Sequence, residues 1–127
     1  MKKPLPETLS CMSPQLIVSD INRSLAFYTQ KLGFTVNFRQ EDFYAGIGCS
    51  GQSIHLKCGD PCREERERKR KLQDIDIVFG VTDLDAFYEE VLSKKVEITQ
   101  PLREMPYGRE FYFSDPDGYI FCAFAVN

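Results

Sequence analysis

One histidine and five cysteines are the side chains here best suited to ligate a metal or attack a substrate: His55, and Cys11, Cys49, Cys58, Cys62 and Cys122. A zinc ribbon or a thioredoxin-type centre needs cysteines in CxxC pairs, and the chain has none, since three residues separate Cys58 from Cys62. An odd number of cysteines reads as free thiols in a reducing compartment, packing as small hydrophobes. Cys122 acting as a nucleophile needs a base, and the sequence identifies none, a pairing with His55 across strands being a matter of geometry alone. Charge is concentrated in Arg63–Lys71, nine consecutive ionic residues of which six are positive. A nucleic-acid patch interleaves aromatics with its cations; this run has none and reads as a solvated linker helix. Asp60 and Pro61 suit its cap and first position, and Glu64/Arg68, Glu65/Lys69 and Glu67/Lys71 are acid-before-base pairs four apart. Outside the run, ten positive and 16 negative charges remain, a bias toward cationic ligands wherever the acids line a cleft.

These residues need a scaffold, and 127 residues suit one domain or two small halves sharing a core. Ten Phe and six Tyr can bury enough area to exclude disorder as the main reading. The longest apolar run, Tyr119 to Val126, is eight residues, far short of the roughly 20 needed to span a bilayer. Met1–Pro6 has basic residues but no apolar stretch behind them, so no secretory signal is expected and the expected address is cytoplasmic. The net charge of −3 argues against nucleic acid as a partner.

The chain repeats itself. Leu16–Asp20, a helix over Ile21–Leu32 and a strand over Phe34–Arg39 match Ile77–Asp83, a helix over Leu84–Ser93 and a strand over Val96–Thr99. The offset is 63 at Val18/Val81 and 60 at the two Ala-Phe-Tyr triplets. Asp20 and Thr82 or Asp83 are suited to cap helix N-termini, and Gly33 to the left-handed position after a helix end. Ile21, Leu25, Tyr28 and Leu32 form one apolar stripe, as do Leu84, Phe87, Tyr88, Val91 and Leu92. Strands are expected over Phe43–Gly48 and Gln52–Lys57, and over Arg109–Ser114 and Tyr119–Val126 around the tight turn Asp115-Pro116-Asp117-Gly118. The sum is an α+β fold of two βαβββ modules, residues 13–59 and 74–126, joined by a helical linker, 60–73. Alternation places Ile54, Leu56 and Cys58 under a helix, with Ser53, His55 and Lys57 on the other face. It places Asp74 and Asp76 opposite Ile75, Ile77 and Phe79, so that the polar faces of both strands meet in one hollow.

Val18-Ser-Asp20 with Phe27-Tyr28 and Lys31-Leu-Gly33-Phe34 resembles the opening of the glyoxalase/bleomycin-resistance/dioxygenase proteins, the vicinal oxygen chelate superfamily. Tyr107-Gly-Arg-Glu-Phe111 with Asp115-Pro-Asp-Gly118-Tyr119 resembles its closing segment as found in bleomycin-resistance-like members. The resemblance implies two modules around a concave mixed sheet, a cup holding a ligand or metal, and a homodimer with pockets often built at the subunit interface. Its metal enzymes place ligands at positions that fall here on Ser13, His55, Asp76 and Cys122. The usual set is His, Gln or Glu, and a chain with one histidine departs from the two-His-one-Glu sites of ring-cleaving dioxygenases and fosfomycin-modifying relatives. The leading expectation is a metal-free protein sequestering a drug-like, cationic ligand in a cup lined by Tyr44, His55, Asp76, Arg109, Tyr112 and Cys122. Two alternatives stand beside it: a lyase or isomerase using a divalent metal on His55, Asp76 and Cys122, and a regulatory dimer without chemistry.

Overall fold

The structure, a computed structural model, describes residues 1–125. A single turn α1 (Leu5–Thr8) precedes the first half, made of β1 (Gln15–Val18), α2 (Ile21–Ala26), β2 (Thr35–Gln40), β3 (Tyr44–Cys49) and β4 (Gln52–Cys58). α3 (Arg63–Leu72) leads to the second half: β5 (Ile77–Val81), α4 (Leu84–Ser93), β6 (Glu97–Met105), β7 (Gly108–Ser114) and β8 (Ile120–Ala125). Each half closes its own four-stranded mixed sheet, in the orders β1-β4-β3-β2 and β5-β8-β7-β6. β1–β4 and β5–β8 pair in parallel and the other neighbours antiparallel, as two βαβββ modules require. Among the described residues no helix is long and apolar enough to cross a membrane.

Local chemistry sets the boundaries. Asp20 accepts from the Arg23 N–H and Asp83 from the Ala86 N–H, so both long helices of the repeat start on a carboxylate cap. Gly33, at φ 77°, turns the chain after the first helix. The expected unbroken helix over 21–32 is α-helical only to Ala26; Phe27–Lys31 form a π-helical turn. Within it Thr29 Oγ1 donates to the Leu25 carbonyl at 2.7 Å, a side-chain bond that competes with the regular ladder. β6 runs well past the expected Thr99. It carries Pro101, which an edge strand tolerates because that N–H needs no partner, and its register with β7 shifts on both sides of Gln100. β8 ends at Ala125 within the described residues; the expected final residue, Val126, lies outside them.

Both sheets turn their helix-covered face into one core. Ile54 and Leu56 from β4, Phe111 and Phe113 from β7 and Phe121 from β8 are all buried in it. Tyr28 meets Phe121 and Phe34 meets Phe79 across the two halves, each pair with ring centroids 6.3 Å apart. The turn after β7 locks this arrangement. Buried Asp115 accepts from the Tyr28 hydroxyl at 2.8 Å and, with its other oxygen, from the N–H groups of Asp117 and Tyr119. Asp117 accepts from Ser19 N and Oγ and from Arg23 Nη2. The Tyr119 hydroxyl donates to the Ile17 carbonyl and accepts from the same residue's N–H.

The linker is a helix, as its charge pattern predicts, but it is docked. Arg66 is only 8% exposed; its guanidinium lies 4.3 Å from the centroid of the Tyr119 ring, and its Nη1 donates to Asp76 at 3.1 Å. Lys69 also donates to Asp76. The helix starts at Arg63 after Cys62 in the left-handed region; Asp60 accepts from the Cys62 N–H instead of capping the helix. Along it the pair formed four residues apart is Arg63–Glu67, the reverse of the expected acid-first order, and Arg66 also reaches Glu65 at 3.6 Å.

Candidate functional site

Each sheet leaves one face uncovered by helix, and each such face carries its own constellation. On the first sheet the register aligns Gln15, His55, Gly46 and Phe38 in one row across β1, β4, β3 and β2. A Cβ at Gly46 would lie 2.2 Å from the Phe38 ring, so only glycine lets that ring lie across β3. Phe38 stacks on Tyr44 with centroids 6.0 Å apart and meets His55 edge-on at 5.2 Å. Gln15 Nε2 donates to the Tyr44 hydroxyl at 3.0 Å, and that oxygen lies 2.9 Å from His55 Nδ1. The Tyr44 hydroxyl thus joins Gln15 to His55 Nδ1, which leaves His55 Nε2 without a partner among the described residues.

On the second sheet the centre is Glu110, 2% exposed. Arg103 donates to it through Nε and Nη2, at 3.1 and 2.7 Å, and the Tyr107 hydroxyl at 2.6 Å. Arg103 Nη2 also reaches the Tyr112 hydroxyl at 3.0 Å. Burial pushes the Glu110 carboxyl upward, but the bonds from Tyr107 and Arg103 outweigh it and hold the group below its ordinary range. The same negative charge pushes the Tyr107 phenol up to about 12. Cys122 sits beside Tyr112 and Ile120, its sulfur 3.8 Å from Glu110. Burial first, then the Glu110 charge, raises its thiol to about 11, so it is protonated at neutral pH and a poor nucleophile.

The expected lining residues therefore separate. Tyr44 and His55 stand together on the first sheet, Tyr112 and Cys122 on the second, and among the described residues no hydrogen bond or ion pair joins the two groups. Asp76 does not present a free carboxylate: Arg66 and Lys69 take one oxygen and the Ile120 N–H the other. Arg109 lies on the helix-covered side of β7, paired to Asp85 of α4 at 2.6 Å. The reason is alternation. Tyr112 and Arg109 are three apart on one strand and must point to opposite faces, so Glu110 is the residue that shares a face with Tyr112. That parity could have found Glu110 from the sequence; Arg103 and Phe38 carry no signal beyond residue type.

A metal on the family's ligand positions does not fit these residues. The Ser13 hydroxyl is paired with that of Ser53, Asp76 is held by two cations, and Cys122 lies on the second sheet beside Glu110 while His55 lies on the first. Among the described residues no three His, Cys, Asp or Glu side chains converge as a metal would require.

Residues 10–123 match the family model of the Glyoxalase/Bleomycin resistance protein/Dioxygenase superfamily. An uncharacterised Bacillus subtilis (strain 168) protein, YwkD, is 32% identical over 110 residues, 80% of this chain and 85% of that one. Among solved structures, the bleomycin-binding protein from Streptomyces verticillus, complexed with copper(II)-bleomycin, is similar at a TM-score of 0.67 and 24% identity, covering 94% of this chain and 98% of that one. The fosfomycin resistance protein FosX from Listeria monocytogenes is similar at a TM-score of 0.71 and 23% identity, covering 94% of each chain. Two βαβββ modules, the joint between Tyr28 and the Asp115–Gly118 turn, and a family match across nearly the whole length agree: the chain belongs to the Glyoxalase/Bleomycin resistance protein/Dioxygenase superfamily.

Proposed function

We propose that this chain binds a small, planar, cationic molecule without transforming it, in a metal-free cup completed in a homodimer. The observation that carries this reading is the row across the first sheet. Phe38, Tyr44 and His55 offer aromatic faces and edges, and the Gln15–Tyr44 pair holds the imidazole through Nδ1, so His55 Nε2 is left to meet a ligand. A cup needs a second wall, and the face of the second sheet opposite α4, where exposed Tyr107 lies beside the buried Glu110 and Tyr112 and their partner Arg103, is the counterpart available in a partner copy. The acidic balance outside α3 favours a positively charged ligand. Five unpaired cysteines support a cytoplasmic address within the same proposal.

The test is a thermal-shift and calorimetric screen of planar cationic compounds and cationic glycopeptides against wild type and His55→Ala, alongside elemental analysis of untagged protein. A stoichiometric complex that His55→Ala weakens at least tenfold, recovered chemically unchanged, supports the reading. Stoichiometric metal lost on His55→Ala, or turnover of the ligand, refutes it.

A further inference from the structure

A β-strand shows its side chains to alternate faces, and the outer strand of the first sheet breaks that rule at Asn37. β2 pairs Val36 with Ile47 and Phe38 with Gly46, which leaves Asn37 as an extra residue without a partner on β3. Such an insertion re-aims the side chain it carries. A Cβ at Gly48 would lie 2.6 Å from Asn37 Nδ2 and 3.1 Å from its Oδ1, just as one at Gly46 would run into the Phe38 ring. Gly46 and Gly48 face away from Ala45 and Ile47, which are buried in the core. Asn37 and Phe38 are adjacent in sequence, yet both therefore lie over β3 on the face that carries Tyr44 and His55.

The insertion belongs to the duplicated framework, because β6 passes Thr99 over in the same way between Ile98 and Gln100. The glycines do not. Phe38–Gly46 and Thr35–Gly48 in the first sheet correspond to Gln100–Tyr112 and Glu97–Ser114 in the second. A glycine inside a strand forfeits packing and adds to the entropy lost on folding. The first half accepts that loss at two alternate positions, and the space goes to a flat ring and a flat carboxamide. The carboxamide stabilises nothing within the fold: Asn37 is exposed, and among the described residues no hydrogen bond engages its donor or its acceptor. Ser53, beside Gly48 on β4, has its hydroxyl paired with that of Ser13.

We propose that Asn37 sets the specificity of this face, and that the ligand it selects carries a carboxamide or lactam edge beside its planar ring system. The proposal rests on the ligand-binding reading above and names the ligand class within it. A primary carboxamide holds a donor and an acceptor side by side in one plane, and another amide-type edge satisfies both at once. A carboxylate meets only the donor, and an ammonium only the acceptor. Phe38 and Tyr44, with ring planes 15° apart, offer near-parallel faces to the flat part of such a molecule. His55 stands at 85° and 81° to those rings, as an upright flank beside them.

The probes are 1-methylquinolinium-3-carboxamide and 1-methylquinolinium, planar cations that differ only in that edge, titrated by calorimetry against the full-length protein. Wild type is expected to prefer the carboxamide about tenfold, the worth of one or two exposed hydrogen bonds. Asn37→Ala is expected to bring the carboxamide down to the affinity of the unsubstituted cation. Gly48→Ala, whose new Cβ takes the place of the Asn37 amide, is expected to do the same at an unchanged thermal midpoint. His55→Ala weakens both probes alike. A preference that survives Asn37→Ala, or a parallel loss of both probes in that variant, overturns the role of Asn37. Equal affinity of the two probes for wild type, still lost on His55→Ala, overturns the amide-type edge and leaves the ligand-binding reading standing. Failure of both probes to bind wild type overturns both.

Discussion

The two halves share strand order, pairing sense and helix capping, yet they deploy their polar residues in opposite ways. In the second half Asp76, Glu110, Asp115 and Asp117 are all engaged in holding something: α3, Arg103, Tyr28 and the Ser19–Arg23 corner. In the first half the connection between β3 and β4, at Ser50-Gly51, is exposed and ties down nothing, and β2 is exposed along its whole length. The same framework thus gives one half that binds the molecule together and one whose aromatic and imidazole groups stay available. A duplicated module does not need both copies to do the same work. Substituting matched positions in the two halves shows how far this division holds.

The largest effect is expected at Asp115. Asp115→Ala strands the Tyr28 hydroxyl and two backbone N–H groups in the core, and a loss of about 3 kcal/mol in denaturant unfolding is expected. Ser50→Ala, in the corresponding turn of the first half, is expected to stay within about 0.5 kcal/mol. Equal losses at the two turns would break the comparison.

Glu110→Ala comes next, at about 2 kcal/mol, because Arg103 and Tyr107 lose their shared acceptor. It carries a second signature: without the carboxylate charge the Cys122 thiol falls from about 11, so alkylation of Cys122 starts at lower pH than in wild type.

Acid titration sharpens the picture further. Burial raises the Asp115 carboxyl to about 6, above its value in the unfolded chain of about 3.9. The folded state therefore binds this proton more tightly. Its stabilising contribution is full below about pH 4 and is lost as pH rises through about 6. Stability measured against pH should show that falling component in wild type and lack it in Asp115→Asn. Glu110, held below its ordinary range, acts in the opposite sense: its contribution is present above the unfolded value and lost on acidification.

The smallest effect is expected at Arg109. Its pair with Asp85 is exposed on both sides, so Arg109→Ala should leave the thermal midpoint and ligand retention unmoved. Lost ligand retention would return this side chain to the binding face and undo the strand parity on which the site is built.

What was legible beforehand follows the range of the forces involved. Asp20, Asp83 and Gly33 act within a turn of their own position, and the sequence states them openly. Alternation across Ile54–His55–Leu56 is equally local and reads correctly. Arg109 obeys the same rule, which turns it toward Asp85 of α4 and away from the face that holds Tyr112, so it does not line the cup where the sequence reading expects it. Asp76 departs from expectation for a different reason. Its partners Arg66 and Lys69 belong to a run that, by composition, is a solvated helix, and only the packing of α3 against Tyr119 reveals that two of its cations are withdrawn from solvent. The π-helical turn at Phe27–Lys31 and the convergence of both sheets on one core are long-range outcomes with no local signature.

The Tyr119 hydroxyl has a consequence for how the protein keeps company with other chains. β1 is an outer strand, and an outer strand with unpaired backbone groups is a template for uncontrolled stacking. By taking both the N–H and the carbonyl of Ile17, one phenol closes the middle of that four-residue edge to any incoming strand. A side chain that fastens the two halves together therefore also guards against aggregation, through the same two hydrogen bonds.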